Sequence, residues 1–261
     1  MKSYLAAIWR CRFFWLSLVK MDLRTRYRRS ILGLGWSLLH PIAMTIILTA
    51  VFYNLFGIGD IGEYAPFVLA GLATWNYIVT ATSQGCQCFF QGESYIRQYP
   101  APLAIYPLRT ALGGTVHFLL ALIVVIALAW YFKGFANLPY LVWLVPNVFL
   151  LFIFAWSIAT LAGIANVHFQ DTQHLTEVGF QMLFYATPIL YNKERLNLDF
   201  LKGVLDFNPL ASLLQLIRDP ILTSQAPSGG TYAVACTTVL IAFLAAARML
   251  TRQQKRLIFH L

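Results

Sequence analysis

The stretch TALGGTVHFLLALIVVIALAWYF, Thr110–Phe132, carries no Asp, Glu, Lys or Arg from end to end. It is longer than the ~20 residues with which an α-helix crosses the hydrocarbon of a bilayer. Four more stretches share the property: Ser30–Gly59, Tyr64–Gly92, Gly134–Gln170 and Pro220–Ala247. A helix on a soluble domain shows charge on its outer face, so lipid is the solvent for most of this chain. Only 11% of the 261 residues are charged and mean hydropathy is +0.66, against about 25% charge in ordinary soluble domains. The expected class is an all-α, polytopic membrane protein.

These runs place spans at about Ile31–Phe56, Pro66–Phe90, Thr110–Phe132, Tyr140–Asn166 and Thr231–Leu250. Between the last two lies Val178–Asn192, uncharged but short enough to be re-entrant. Lys2, Arg10, Arg12, Lys20, Arg24, Arg26, Arg28 and Arg29 precede the first span, and Arg248, Arg252, Lys255 and Arg256 follow the last. Basic flanks mark the cytosolic side. Both flanks can be cytosolic only if Val178–Asn192 crosses, so six transmembrane helices are expected, with both termini in the cytoplasm. Arg97 and Arg109 join that side; Lys133, Lys193, Arg195, Lys202 and Arg218 stay outside. The expected organisation is a cytosolic amphipathic interface helix (1–30), a six-helix transmembrane domain (31–250) and a basic cytosolic tail (251–261).

Net charge is +9, and its confinement to span flanks points to anionic lipid rather than nucleic acid. No short apolar core with a cleavage site follows the first basic residues, so a signal peptide is not expected. Cys11, Cys86, Cys88 and Cys236 lack metal-ligand spacing, and buried free thiols are the plainer reading.

Three segments stand out. In Leu5–Ser30, Phe13, Leu16, Val19, Leu23 and Tyr27 share one helical stripe while Arg24, Arg26, Arg28 and Arg29 spread over the rest. Such a helix lies in the headgroup plane. It anchors the topology, or its arginines also greet an anionic lipid substrate, since guanidinium suits phosphate. The loop of about 91–109 contains Glu93–Gln98, expected as a short helix stopped by Pro100, Pro102 and Pro107. A plain connector and a contact for a cytosolic partner fit it equally.

The third segment, about 192–230, is too apolar for an ordinary loop. Phe200–Phe207 and Leu210–Ile217 flank Asn208–Pro209, and neither can span alone. They read as an external re-entrant helix pair, covered by protein at depth. Arg218 and Asp219 close it, with a structural ion pair as the favoured role and substrate contact as the other.

No Gly-x-x-x-x-Gly-Lys-[Ser/Thr] phosphate loop occurs. Away from their ends the spans hold no Asp, Glu, Lys or Arg, whereas ion-coupled carriers keep such groups within the membrane. His40 and His117 are the ionisable exceptions, read as packing residues. Any uphill transport therefore draws its energy from another subunit. Aromatic residues reach 15%; most face lipid or the core. An aromatic-lined path would nonetheless suit sugars, with Phe52, Tyr53, Trp75, Tyr77, Phe184 and Tyr185 as channel-lining candidates.

The run Arg26-Tyr27-Arg28-Arg29-Ser30-Ile31-Leu32-Gly33-Leu34-Gly35-Trp36-Ser37-Leu38-Leu39-His40-Pro41 resembles the entrance motif of the membrane subunit of bacterial polysaccharide ABC exporters. Gly33, Trp36 and Pro41 are its marks. Thr187-Pro188-Ile189-Leu190-Tyr191, Asn208-Pro209-Leu210-Ala211 and Arg218-Asp219 resemble the same family's outer region. The later pieces are most similar to O-antigen permeases, which serve lipopolysaccharide biosynthesis; capsular polysaccharide and teichoic-acid exporters are the alternative. Phe169-Gln170-Asp171 departs from relatives that have Arg before the Asp, and Tyr99-Pro100 stands where Phe-Pro is common.

The resemblance implies a homodimer in the bacterial inner membrane with two cytosolic ABC ATPase subunits. ATP and Mg would sit on those subunits, with no cofactor in this chain. It implies that Arg24, Arg26, Tyr27, Arg28 and Arg29 meet the substrate headgroup. Glu93, Tyr95, Ile96, Arg97 and Gln98 would form a coupling helix on the ATPase. Asn208, Pro209, Arg218 and Asp219 would form an external gate. The cargo would be a polysaccharide linked to undecaprenyl diphosphate.

Overall fold

The computed structural model describes residues 2–26, 28, 33–56, 60–98, 101–191 and 208–260. All regular structure among them is helical. Two helices open the chain, α1 (Lys2–Arg10) and α2 (Arg12–Arg26), broken at Cys11. A 3-10 turn at Gly33–Gly35 leads into α3 (Trp36–Phe56), then α4 (Ile61–Gln98) and α5 (Ile105–Lys133). A second 3-10 segment, Leu138–Trp143, runs into α6 (Leu144–His168). After these come α7 (Thr172–Ala186), α8 (Pro209–Arg218), a π turn over Asp219–Thr223, and α9 (Gly229–His260).

Ile105–Lys133, Leu138–His168 and Gly229–Gln253 are long and apolar enough to cross a membrane, and Trp36–Phe52 is a shorter apolar helix. The 38 residues of α4 reach ~57 Å at 1.5 Å per residue, well beyond the ~30 Å of bilayer hydrocarbon. This helix is the hub, packed against α3, α5, α6, α7 and α8. Val68, Ile78, Cys86 and Phe89 on it are fully buried.

Small residues set its crossing with α6. A Cβ on Gly85 would lie 2.5 Å from the Ala159 Cα, and one on Gly163 2.8 Å from the Gly85 carbonyl oxygen. Lipid is as apolar as any side chain, so helix association within it relies on this kind of close backbone approach.

α7 follows α4 in the opposite direction. Gln87 Nε2 donates to Gln173 Oε1 at 2.5 Å. Trp75 meets the rings of Phe180 and Phe184 at 5.7 and 5.9 Å, and the Tyr64 hydroxyl donates to the Leu190 carbonyl at 2.8 Å. From Gln87 to Tyr64 α4 rises ~35 Å, so the segment from Gln173 to Leu190 covers a depth comparable with the hydrocarbon core. Its helix is displaced from the expected Val178–Asn192: it starts at Thr172 and stops at Ala186. Pro188 disfavours helical backbone at the preceding residue, and Thr187 is extended (φ −113°, ψ 137°).

The loop of about 91–109 is also corrected. Glu93–Gln98 is not a separate short helix but the last turns of α4. Pro107 does not terminate anything: it sits in the first turn of α5, where the missing N–H has no intrahelical partner to lose. Arg109 consequently lies on α5 rather than in a connector. Of the external helix pair, the second member is α8; Phe200–Phe207 lies outside the described residues.

Candidate functional site

The candidate residues fall into three groups, at the basic end of the bundle, just inside it, and at the opposite end. At the basic end α2 packs on α5. Leu18 and Val19 are buried there, whereas Phe13 is 71% exposed and Leu16 is exposed as well. The expected apolar stripe is therefore split: Val19 faces protein, and Phe13 and Leu16 face outward. Asp22 decides the docking face. Its carboxylate accepts from both Nε and Nη2 of Arg109, a two-pronged geometry with high angular specificity. Arg109 is buried.

The outward side of α2 and the turn residue Arg28 beyond it carry a cationic row. Lys20, Arg24 and Arg28 recur at four-residue spacing beside Ser17 and Thr25 and line a groove of about 580 Å³. The positions of Tyr27 and Arg29 and the side chain of Arg26 lie outside the described residues.

The end of α4 docks on this helix. Tyr95 meets the Phe14 ring edge-on at 5.9 Å and Ile96 is buried, so these two face inward. Glu93 and Arg97 form an exposed i,i+4 pair at 2.9 Å, and Gln98 is exposed beside them. Only these last three are presented outward.

Just inside the basic end is a cavity of about 440 Å³ between α3, α4 and α5. The entrance residues form one wall. Gly33 adopts φ +50°, a left-handed conformation that a side chain would strain. The turn it opens delivers Trp36, which begins α3 and is exposed. Pro41 supplies no N–H to the Ser37 carbonyl, and its own carbonyl accepts from Thr45 Oγ1 at 2.7 Å. Trp36, His40 and Pro41 from α3 face Asn76, Tyr77 and Thr80 from α4 and His117 from α5. The Tyr77 hydroxyl is 2.9 Å from Thr115 Oγ1, and its ring stacks on Phe118 at 5.1 Å. The two histidines read separately as packing residues line one polar cavity. Nothing in their sequence spacing announces this, because it depends on the register of three helices.

At the opposite end Arg218 is buried. Its Nη1 donates to the Pro188 carbonyl at 2.6 Å, and its Nη2 donates to the carbonyls of Ile189 at 2.7 Å and Phe67 at 3.2 Å. The guanidinium also lies 3.7 Å over the Phe67 ring. Gly71 makes the room, since a Cβ there would fall 2.2 Å from Nη2. The expected ion pair with Asp219 is absent: no contact within 4 Å joins the two groups.

Asn208 caps α8, accepting from Leu210 N–H at 2.9 Å and donating to the Ala186 carbonyl at 3.0 Å. Pro209 takes the first helical position, where it is favoured. Asn147 and Asn137 donate to the carbonyls of Leu216 at 2.6 Å and Ile221 at 2.8 Å, satisfying backbone that cannot reach water.

The remaining aromatic candidates separate. Trp75 is 5% exposed and belongs to the core between α4 and α7. Phe52 stacks on Tyr64 at 6.0 Å, Phe184 is half-buried, and Tyr185 is 71% exposed. The Tyr53 side chain lies outside the described residues.

The family described as ABC-2 type transporter matches residues 14–222. An O-antigen export system permease protein of Klebsiella pneumoniae is 26% identical over 199 residues, 76% of each chain. One from Myxococcus xanthus is 24% identical over 246 residues, 92% of each chain. A polysialic acid transport protein of Escherichia coli is 20% identical over 239 residues, 90% of this chain and 92% of its own.

Proposed function

Since the chain belongs to the ABC-2 type transporter family, we propose that it is the permease subunit of an ATP-driven exporter of lipid-linked polysaccharide in the bacterial inner membrane. It works as a homodimer with two cytosolic ATPase subunits, crosses the bilayer six times and keeps both termini in the cytoplasm. The observation that carries this reading is the similarity, over three quarters of the chain or more, to permeases named for O-antigen export.

The chain's chemistry supports it. Uncharged helices with no phosphate loop leave ATP to a partner. Lys20, Arg24 and Arg28 offer an outward cationic row to a lipid diphosphate. The exposed trio Glu93, Arg97 and Gln98 offers the ATPase a polar contact at the end of a rigid helix. Movement of the partner on ATP binding would reach the bundle through α4, provided that contact differs between its states. Asn208, Pro209 and α8 form the outer gate.

A second reading changes the cargo to capsular polysaccharide, favoured by the similarity to the polysialic acid transport protein. Deletion of the gene in its native host tests both readings. Lipid-linked polymer is expected to accumulate on the cytosolic face, and its sugar composition would identify O-antigen or capsule. Normal surface polymer in the deletion strain would refute the exporter reading.

A further inference from the structure

We propose that the cavity between α3, α4 and α5 is a binding site for an uncharged, polyhydroxylated sugar ring, separate from the α2 row that takes the diphosphate. This inference rests on the exporter reading and divides recognition of its cargo between two sites.

His117 lies eight residues into α5 beyond Arg109, ~12 Å of helical rise from the ion pair at the basic end. At that depth the surrounding helices are uncharged, and polar groups without partners are costly unless water or a ligand satisfies them. No protein hydrogen bond among the described residues ends on the side chains of His40, Asn76 or Thr80, which all line the cavity. Together they present an imidazole, an amide and a hydroxyl. That is a mixed set of neutral donors and acceptors.

Among the described residues the cavity wall contains no Asp, Glu, Lys or Arg. A phosphate would find no charge partner in it, whereas the groove on α2 is lined by Lys20, Arg24 and Arg28. Sugar hydroxyls need both donors and acceptors, and the C–H face of the ring needs an aromatic wall. Trp36, whose ring is exposed, supplies that wall, while Tyr77 is buried behind it with its ring stacked on Phe118. At about 440 Å³ the space falls within the ~300–1,000 Å³ of small-molecule pockets.

Arg28 and Trp36 are joined by at most ~28 Å of chain, so the groove and the cavity are close enough for one lipid-linked sugar to reach both. A lipid-linked sugar entering from the basic end would leave its diphosphate on α2 while its first ring reaches the cavity.

The test uses the full-length permease with its ATPase in lipid nanodiscs. Two probes are titrated, undecaprenyl diphosphate and the same lipid carrying one glucose. The cavity variant His40→Ala/Asn76→Ala/Thr80→Val is expected to lose about tenfold in affinity for the glucose-bearing probe, the worth of one or two hydrogen bonds. Its affinity for undecaprenyl diphosphate stays at the wild-type value, which also verifies its fold. The α2 variant Arg24→Ala/Arg28→Ala is expected to weaken both probes. If the triple variant does not assemble, the isosteric Thr80→Val alone supplies the same comparison. Equal affinities of a cavity variant and wild type for the glucose-bearing probe overturn the proposal, as does an equal loss for both probes. Wild-type protein that binds neither probe overturns the exporter reading itself.

Discussion

Asp22 on the interface helix and Arg109 near the start of α5 hold one another through two parallel hydrogen bonds. They are the tie between the cationic row of α2 and the transmembrane bundle. Arg109 is buried and Asp22 half-buried, so removing the carboxylate strands a guanidinium with little access to water. Asp22→Ala is expected to cost on the order of 2 kcal/mol, read as a lower midpoint of thermal unfolding in detergent. The swap Asp22→Arg/Arg109→Asp should recover part of that loss. A midpoint unchanged by Asp22→Ala would mean the tie has no energetic role.

The crossing of α4 and α6 leaves no space at Gly85. A Cβ there meets the Ala159 Cα at 2.5 Å and its carbonyl oxygen at 2.8 Å, both backbone atoms that move only with the helix. Gly85→Val is expected to destabilise by at least ~3 kcal/mol and to abolish accumulation in the membrane. Gly113→Ala is the control, with nothing within 4 Å of the added carbon and a better helix former in place of glycine. It should be neutral or slightly stabilising by the same unfolding assay.

Arg218 serves the carbonyls of Pro188, Ile189 and Phe67. A lysine has one compact ammonium and cannot reproduce a planar fork. Arg218→Lys is therefore expected to destabilise nearly as much as Arg218→Met, by roughly 3 kcal/mol for the stranded acceptors. Asp219→Asn should change stability by less than about 0.5 kcal/mol, because no ion pair is broken. Comparable losses at the two positions would restore the ion pair that the structure lacks.

Glu93 and Arg97 are exposed on the end of α4, and an exposed i,i+4 pair is worth only ~0.3–0.5 kcal/mol. Reversing both, Glu93→Arg/Arg97→Glu, is expected to leave folding and membrane insertion intact. In the complex it should separate ATP hydrolysis from polymer export. Wild-type coupling in that variant would remove these residues from the ATPase contact.

Features written in local chemistry were legible in the sequence. The uncharged runs locate the long helices because lipid tolerates little else. Asn208–Pro209 marks the break before the apolar stretch Leu210–Ile217, and α8 starts there, capped by Asn208. What escaped depends on long-range register. Asp22 is the one acid in a basic segment, a visible anomaly, but its partner is distant in sequence. The partners of Arg218 are backbone carbonyls, which leave no side-chain signature, so neighbouring Asp219 looked like the natural counter-charge. The polar cavity arises only when three helices are set at one height. The uncharged run ends at Gly92 while α4 continues to Gln98, so composition does not show that Glu93–Gln98 belongs to it, and Pro107 fits the first turn of α5 rather than a stop.

Reconstitution is the most direct measurement of polysaccharide export by this chain. The permease and its cognate ATPase are placed in proteoliposomes, and ATP hydrolysis is followed as lipid-linked glycan from the native membrane is added. A several-fold rise in hydrolysis, with glycan becoming accessible to a hydrolase on the far side of the bilayer, is the predicted result. Hydrolysis indifferent to the glycan, with none of it crossing, would contradict the exporter reading.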